Sequence, residues 1–326
     1  MTRALTCVAL VLVGAVGANC ARSAGARDWP TQPIKVIVPF GAGTGPDMVT
    51  RLLAPKLSER WAETVVIDNR PGGDGIVGVQ AFVSANDEHT LLFMPAAQTS
   101  LTLLLHEQLP FDPVRDVVPV AAAVAASVGI AVTKDLNVTS PAELAARLRS
   151  QPGLLWGSAP GMPDLIFKAF LALEKVDMKH VPYRDQSMAM TDLGGGRIHA
   201  FAASVTSLSP LLQSGSARLI AVTSRSRIAA APDVTTLSEA GYPTLATDGS
   251  WGFYGRRTIS PALRDRISAD IQAALGDAVL KTRLAAIGLT VAPADAAAFA
   301  ADVDRQRRFV YGIANLIGLK PTGAAP

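Results

Sequence analysis

The sequence predicts an α/β protein of two lobes, each built on a mainly parallel sheet. The chain has 326 residues and is 49% hydrophobic, which is enough for two domains of roughly 100–200 residues. Apolar runs rich in Val and Ile alternate with helical patterns, as in βαβ units. This alternation restarts after residues 117–133, which resemble one or two long strands crossing between lobes. We expect one lobe to span 27–127 plus 253–326, and the other 128–252.

The first half of the chain alternates strands and helices at the spacing of a parallel sheet. We predict strands at 34–40, 64–70 and 89–95, a helix at 46–60, and a turn leading into a helix within 71–85.

The second half repeats this organisation. At 139–150, Ser140 can cap a helix, Pro141 occupies its first position and Glu143 completes a capping box. A strand, a glycine loop and a helix follow within 154–173. We predict strands at 179–184 and 218–224, a return crossing at 250–255, and a helical tail that starts at Ser260-Pro261 and ends near Ile317.

Residues 1–26 have the layout of a secretory signal. Arg3 precedes an apolar run, and small residues end in Ala24-Gly25-Ala26. The run is shorter than the roughly 20 residues of a membrane span. We therefore predict an exported protein, with a lipid anchor at Cys20 as the alternative; the resemblance described below implies the periplasm as its location. Both cysteines of the chain lie in this segment, so the mature chain would contain no disulfide and no thiolate.

Two similar segments, "TGPDMVTRLL" at 44–53 and "GMPDLIFKAF" at 161–170, each place Pro-Asp at a helix start. Asp47 and Asp164 would suit the positive end of the helix dipole. One interpretation is capping alone, with Thr44 and Asp47 forming a capping box. The other adds that free first-turn N–H groups of both lobes grip an anion across a cleft.

Several other functions lack their motifs. The loop "GAGTGPD" has neither the Gly-Lys-Ser/Thr of a P-loop nor the third glycine of a dinucleotide fingerprint. No G-x-S-x-G elbow is present, and the four histidines lack metal-binding spacing. Lys and Arg form no basic stripe, which argues against nucleic acid. We therefore predict no catalytic residue, no metal, no cofactor and no nucleic-acid partner.

The segments "WPTQPIKVIVPFGAGTGPD", "VVIDNRPGGDGIVG", "LPFDPVRDVVPV", "HVPYRDQSMAMTDLGGGRIHAF" and "SWGFYG" together resemble the Bug/TctC family. These proteins are extracytoplasmic solute receptors of tripartite tricarboxylate transporters. The resemblance covers essentially the whole mature chain. It implies a type II periplasmic binding protein, in which two Rossmann-like lobes joined by crossing strands close on a small carboxylate.

The resemblance also implies binding residues in loops 39–47 and 158–164, where backbone N–H groups and waters would hold the carboxylate. Asp47 would act through water, because two carboxylates in direct contact repel. The implied ligand-binding set is Phe40, Gly41, Ala42, Gly43, Thr44, Asp47, Ala97, Gln98, Ser158, Gly161, Met162, Pro163, Asp164, Arg184 and Ala203.

The chain departs from the family pattern in both loops. Thr44 and Pro46 replace the usual Gly and Thr, while Ile166 and Ala203 replace the usual His and Asp. The Lys-Gly that usually follows V-P-Y is Arg184-Asp185, and the pocket has gained Met162 and two prolines. We therefore predict a carboxylate with an apolar or aromatic body rather than a citrate-like polyanion.

The resemblance predicts a monomeric receptor that delivers its ligand to the membrane permease subunits of such a transporter. The alternatives are a sensing receptor, which would dock on the periplasmic part of a sensor kinase, and a secreted hydrolase, for which we found no nucleophile or metal constellation.

Overall fold

A computed structural model describes residues 29–159, 161–183 and 186–320. The predicted signal at 1–26, including Cys20, and the predicted site residue Arg184 lie outside the described residues. Within the described ranges, no helix is both long and apolar enough to cross a membrane.

The strands form two sheets that divide the chain into two lobes. Within the described residues, the first sheet has six strands in the order β11-β4-β10-β3-β1-β2, and the second has five in the order β7-β6-β8-β5-β9. The strands are β1 Ile34–Val38, β2 Val65–Asn69, β3 Thr90–Pro95, β4 Val117–Ala126, β5 Val128–Thr133, β6 Leu155–Ser158, β7 Lys179–His180, β8 Ala200–Ser204, β9 Ala217–Val222, β10 Gly249–Arg256 and β11 Leu289–Ala294.

Helices connect these strands and cover the sheets. They are α1 Gly45–Trp61, α2 Ile76–Ala85, α3 Gln98–Leu105, α4 Pro141–Ser150, α5 Met162–Glu174, α6 Gln186–Gly194, α7 Val205–Gln213, α8 Pro261–Leu275, α9 Ala278–Ala286 and α10 Ala296–Leu316.

The parallel pairing predicted for the first apolar runs is present, because β1 pairs parallel with both β2 and β3. Four of the five residues of β1 are buried, as expected for a strand covered on both faces. β10 pairs antiparallel with β3 and β4, and β5 pairs antiparallel with β8 and β9. Both sheets are therefore mixed, and the expectation of mainly parallel sheets is wrong because the crossing strands β4, β5 and β10 enter them antiparallel. The predicted strand at 179–184 is shorter than expected, since β7 comprises only Lys179–His180.

The crossing between lobes occurs at Ser127, which separates β4 in the first sheet from β5 in the second. The return crossing precedes β10, which pairs within the first sheet from Gly249 onward. A boundary drawn by sheet membership therefore lies before Gly249, whereas the predicted limit at 252 lies inside β10.

Each sheet is covered on both faces by apolar clusters. Helices α1, α8 and α9 pack on one face of the first sheet, and α2 and the start of α10 pack on the other. Helix α10 then continues to the second lobe, where Val310, Ile313 and Ala314 join the cluster around Trp156, Phe167 and other buried residues. One helix thus belongs to the cores of both lobes.

The predicted start of α4 is confirmed. Ser140 is the N-cap and its Oγ accepts a hydrogen bond from the Glu143 amide at 3.2 Å. The Glu143 carboxylate reaches one residue further back than in a standard capping box, to the Thr139 amide at 2.7 Å.

Candidate functional site

A cavity of about 120 Å³ lies between the two lobes, beyond the carboxyl ends of β1, β3, β6 and β8. Ligands of open α/β sheets bind at this position. The cavity is lined by Phe40, Thr44, Gly45, Pro46, Pro95, Ala97, Gln98, Leu101, Ala126, Ser127, Val128, Ala159, Met162, Pro163, Gln186, Ser204, Ser207, Thr223, Thr247, Gly249, Ser250, Trp251 and Gln306.

Helix starts from both lobes converge on this cavity. The first turns or N-caps of α1 and α3 line it from one lobe, and those of α5, α6 and α7 line it from the other. First-turn N–H groups lack partners within their helix and carry a partial positive charge. None of the lining residues that the structure describes is charged. The arrangement therefore suits an anion held by backbone dipoles and hydroxyl groups instead of by a cationic side chain.

The loop before α1 is held by its own hydrogen bonds. The Thr44 hydroxyl donates to the Gly41 carbonyl at 2.7 Å, and the Gly43 amide donates to Asp47 Oδ2 at 2.8 Å. Arg51 Nε lies 2.9 Å from Asp47 Oδ1 in an ion pair. Thr44 makes no side-chain cap, so the predicted Thr44–Asp47 capping box does not form, and the carboxylate holds Gly43 instead.

Asp47 is part of the frame of this loop. Its side chain is only 3% exposed and does not line the cavity. Burial by itself raises the pKa of the Asp47 carboxyl, but hydrogen bonds from Arg51 and the Gly43 amide outweigh burial and hold the pKa below its ordinary value. The charged carboxylate therefore fixes the backbone that faces the cavity. Its expected contact with the ligand through water stays a prediction.

Gly45, the first residue of α1, allows the lobes to meet. A Cβ at this position would lie 3.0 Å from Ser204 Oγ of the opposite lobe, and it would also meet the ring of Trp251 in β10 of its own lobe. Gly161 is less crowded, since a Cβ there would be in ordinary contact, 3.4 Å, with Leu101 Cδ1 across the cleft. The lobes of this structure are thus in contact around the cavity.

The loop before α5 is held by side chains. Ser158 Oγ donates to Asp164 Oδ1 at 3.0 Å, and Lys168 Nζ donates to Asp164 Oδ2 at 2.7 Å. His180 lies beside this pair, and burial lowers the pKa of its imidazole. Gly161 is the N-cap of α5 with φ of 92°, a conformation that glycine adopts without strain.

The predicted binding residues fall into two groups. Phe40, Thr44, Ala97, Gln98, Met162 and Pro163 line the cavity. Gly41, Ala42, Gly43, Asp47, Ser158, Gly161 and Asp164 belong to the two loops without lining it. Ala203 is fully buried in an apolar cluster of the second lobe, whereas its neighbour Ser204 lines the cavity. Whether these residues bind a ligand stays a prediction.

Sequence reasoning missed several lining residues, and Gln306 is the most informative of them. It lies on α10 among Val303, Val310 and Ile313, within the buried stripe of the helix. A lone polar residue in an otherwise apolar helical stripe is a detectable signal, because buried amides need partners. Other lining positions from the second lobe or the return crossing were also missed, including Ser204, Ser207, Thr223 and Thr247.

A larger depression of about 490 Å³ lies elsewhere, between residues 228–230 and α8, α9 and β11. It is lined by the carboxyl end of α8 and by Lys281 and Ala285 of α9, and among the described residues helix starts from the two lobes do not converge on it as they do on the cavity. Within the described ranges, no cluster of three or more His, Cys, Asp or Glu residues could hold a metal ion.

Comparison with known proteins agrees with this geometry. The family model described as "Tripartite tricarboxylate transporter family receptor" matches residues 49–311. A UPF0065 protein of Bordetella bronchiseptica is 33% identical over 232 residues, covering 69% of this chain and 68% of that protein. Rpa4515 from R. palustris, solved with adipate, is 27% identical with a TM-score of 0.85, covering 90% of this chain and all of the other.

The periplasmic binding protein BugD, at 24% identity, has the same fold, with a TM-score of 0.82 over 91% of this chain and all of the other. The predicted fold class of a two-lobed periplasmic binding protein is therefore confirmed. Family members are solute-binding receptors, so the prediction that the chain is not an enzyme is also confirmed. The chain belongs to the receptor family of the tripartite tricarboxylate transporters.

Proposed function

We propose that this protein is a periplasmic receptor that captures a small carboxylate between its lobes and delivers it to the membrane permease subunits of a tripartite tricarboxylate transporter. The observation that carries the proposal is the cavity between the lobes. Helix starts from both lobes converge on it, and none of the described residues that line it is charged. A carboxylate matches this positive backbone environment. The adipate bound by Rpa4515 is a chemical precedent within the family.

Closure couples binding to delivery in this proposal. The first turns of α1 and α3 belong to one lobe and those of α5 and α7 to the other, so a ligand contacts all of them only when the lobes meet. Binding then shifts the population toward the closed form, and a permease can distinguish loaded from empty receptor. We propose that the receptor acts as a monomer.

The lining favours an apolar ligand body. Phe40, Leu101, Val128, Met162 and Trp251 contribute large apolar surfaces. A cavity of about 120 Å³ is smaller than the engineered cavity of about 150 Å³ that binds benzene. Of the two predicted ligand bodies, the cavity therefore favours a short aliphatic chain, and an aromatic acid would need a wider cleft.

A thermal-shift panel of mono-, di- and tricarboxylates and aromatic acids tests the binding function. A ligand present at a thousand times its dissociation constant stabilises the folded state by about 4 kcal/mol. We expect short aliphatic acids to raise the melting temperature and citrate to have little effect. A response to citrate alone would contradict the apolar body, and no response to any acid would contradict the carboxylate receptor.

Uptake of the responding acid by cells tests delivery. We expect deletion of the gene to abolish high-affinity uptake and complementation to restore it. Unchanged uptake together with a changed transcriptional response to the acid would instead support the sensing role.

A further inference from the structure

Gln306 presents a fixed acceptor to the ligand cavity. Its side chain is buried, with 5% exposure, and lines the cavity from α10. Its Nε2 donates to the Asp248 carbonyl at 2.9 Å and to Thr247 Oγ1 at 3.2 Å. A carbonyl oxygen can only accept, so the amide cannot be flipped, and both of its N–H groups are occupied. Gln306 Oε1 is left without a donor from any described residue.

Gln98 repeats this arrangement from α3. Its side chain is also 5% exposed, and its Nε2 donates to the Asp74 carbonyl at 2.5 Å and lies 3.5 Å from Thr102 Oγ1. Gln98 Oε1 faces the opposite lobe, about 3.9 Å from where a Cβ on Gly161 would lie. It too receives no hydrogen bond from a described residue.

These two acceptors set a requirement that a carboxylate alone does not meet. A carboxylate has only acceptor oxygens, so it would repel both Oε1 atoms and leave them unpaired after desolvation. The carboxylate therefore belongs at the helix starts, and another part of the ligand must donate. None of the described lining residues is acidic, so the cavity offers no counter-charge to an ammonium group.

We propose that the ligand is a small carboxylate that also carries a neutral hydrogen-bond donor, a hydroxyl or an amide N–H, and that Gln306, assisted by Gln98, selects for it. This inference rests on the proposed carboxylate-binding function and deepens it.

Calorimetric titration with matched acids tests the proposal on the wild-type protein. The set is butyrate, its 2-, 3- and 4-hydroxy derivatives, succinamate as the amide, and 4-aminobutyrate as the ammonium. We expect at least one hydroxy or amide acid to bind at least tenfold more tightly than butyrate and than 4-aminobutyrate. Butyrate or 4-aminobutyrate binding as tightly as every hydroxy and amide acid would overturn the proposal while leaving a carboxylate receptor. No binding by any acid would overturn the proposed function, and this inference with it.

Two variants test whether Gln306 is responsible for the preference for a donor-bearing acid. Gln306→Met keeps the length of the side chain but removes the acceptor, and Gln213→Met is the matched control on the exposed end of α7. We expect Gln306→Met to reduce the preference for the donor-bearing acid at least fivefold and Gln213→Met to leave it unchanged. Full preference in a folded Gln306→Met variant would overturn the assignment. If Gln306→Met does not fold, the preference for the donor-bearing acid over butyrate is measured in Gln98→Met instead. A fivefold loss of preference supports the assignment, and full preference overturns it.

Discussion

The two Pro-Asp helix starts are similar in sequence but are held in different ways. Asp47 is 3% exposed and bonds to the backbone amide of Gly43 as well as to Arg51. Asp164 is 22% exposed, and its hydrogen-bond partners among the described residues are the side chains of Ser158 and Lys168. The first carboxylate thus holds the backbone of its loop, whereas the second joins the side chains of Ser158 and Lys168. We infer that the start of α1 forms a rigid wall of the cavity and that the start of α5 forms an adaptable wall.

The largest expected effect comes from the point where the rigid wall meets the opposite lobe. Gly45→Ala places a Cβ against the ring of Trp251, which lies in β10 of the same lobe, and 3.0 Å from Ser204 Oγ of the opposite lobe. Both neighbours line the cavity, so the substitution must displace the tryptophan ring and crowd the contact between the lobes. Overpacking of this kind costs about 1–3 kcal/mol, and we expect ligand affinity to fall by about tenfold to a hundredfold. Titration calorimetry with the preferred acid measures the loss.

The matched control is Gly41→Ala in the same loop, where a Cβ would meet no atom within 4 Å. We expect its affinity to stay close to that of the wild type. Equal losses in both variants would show that the loop tolerates no side chain at all, and that the contact with Trp251 is not the cause.

The next largest effect is a difference in stability loss between variants of the two carboxylates, Asp47 and Asp164. Asp47→Asn removes a charge-assisted bond to the Gly43 amide in a buried site, and we expect the free energy of unfolding to fall by about 1–3 kcal/mol. Asp164→Asn breaks a partly exposed pair and should cost less than about 1 kcal/mol. Urea denaturation of both variants measures the difference, and similar losses would remove the distinction between a rigid and an adaptable wall.

The dependence of stability on pH tests the role of Asp47. Its pKa is lower in the folded state than in the unfolded chain, so its contribution to stability is complete above the ordinary value of about 3.9. The contribution is lost as the pH falls from that value through the folded-state pKa. We expect the stability difference between wild type and Asp47→Asn to shrink over this acidic range. A constant difference down to the lowest pH would contradict the assignment.

The smallest effect is expected at Ser158, which the sequence predicts as a ligand contact. Its hydroxyl donates to Asp164 and does not line the cavity, so Ser158→Ala should change ligand affinity by no more than about 0.5 kcal/mol. Ser204→Ala is the comparison, because Ser204 lines the cavity and caps α7. A larger loss of affinity at Ser158 than at Ser204 would reverse this ranking.

Much of the fold could be predicted from local patterns. The apolar run of β1, the cap at Ser140 and the Pro-Asp starts of α1 and α5 depend on neighbours within a few residues. The site could be predicted only in part. Phe40, Thr44 and Met162 follow from loops that a motif identifies, whereas Ser204 begins a helix that no strong local signal marks.

The sequence by itself determined the alternation of strands and helices, the two loops and the absence of motifs for nucleotide, metal or nucleophilic chemistry. Only the tertiary structure decided that helix starts from both lobes face one cavity, and that Gln306 contributes to it from the last helix. The physical reason is the range of the interactions. Helix caps and strand periodicity depend on residues close in the chain, whereas the cavity is lined by segments more than a hundred residues apart.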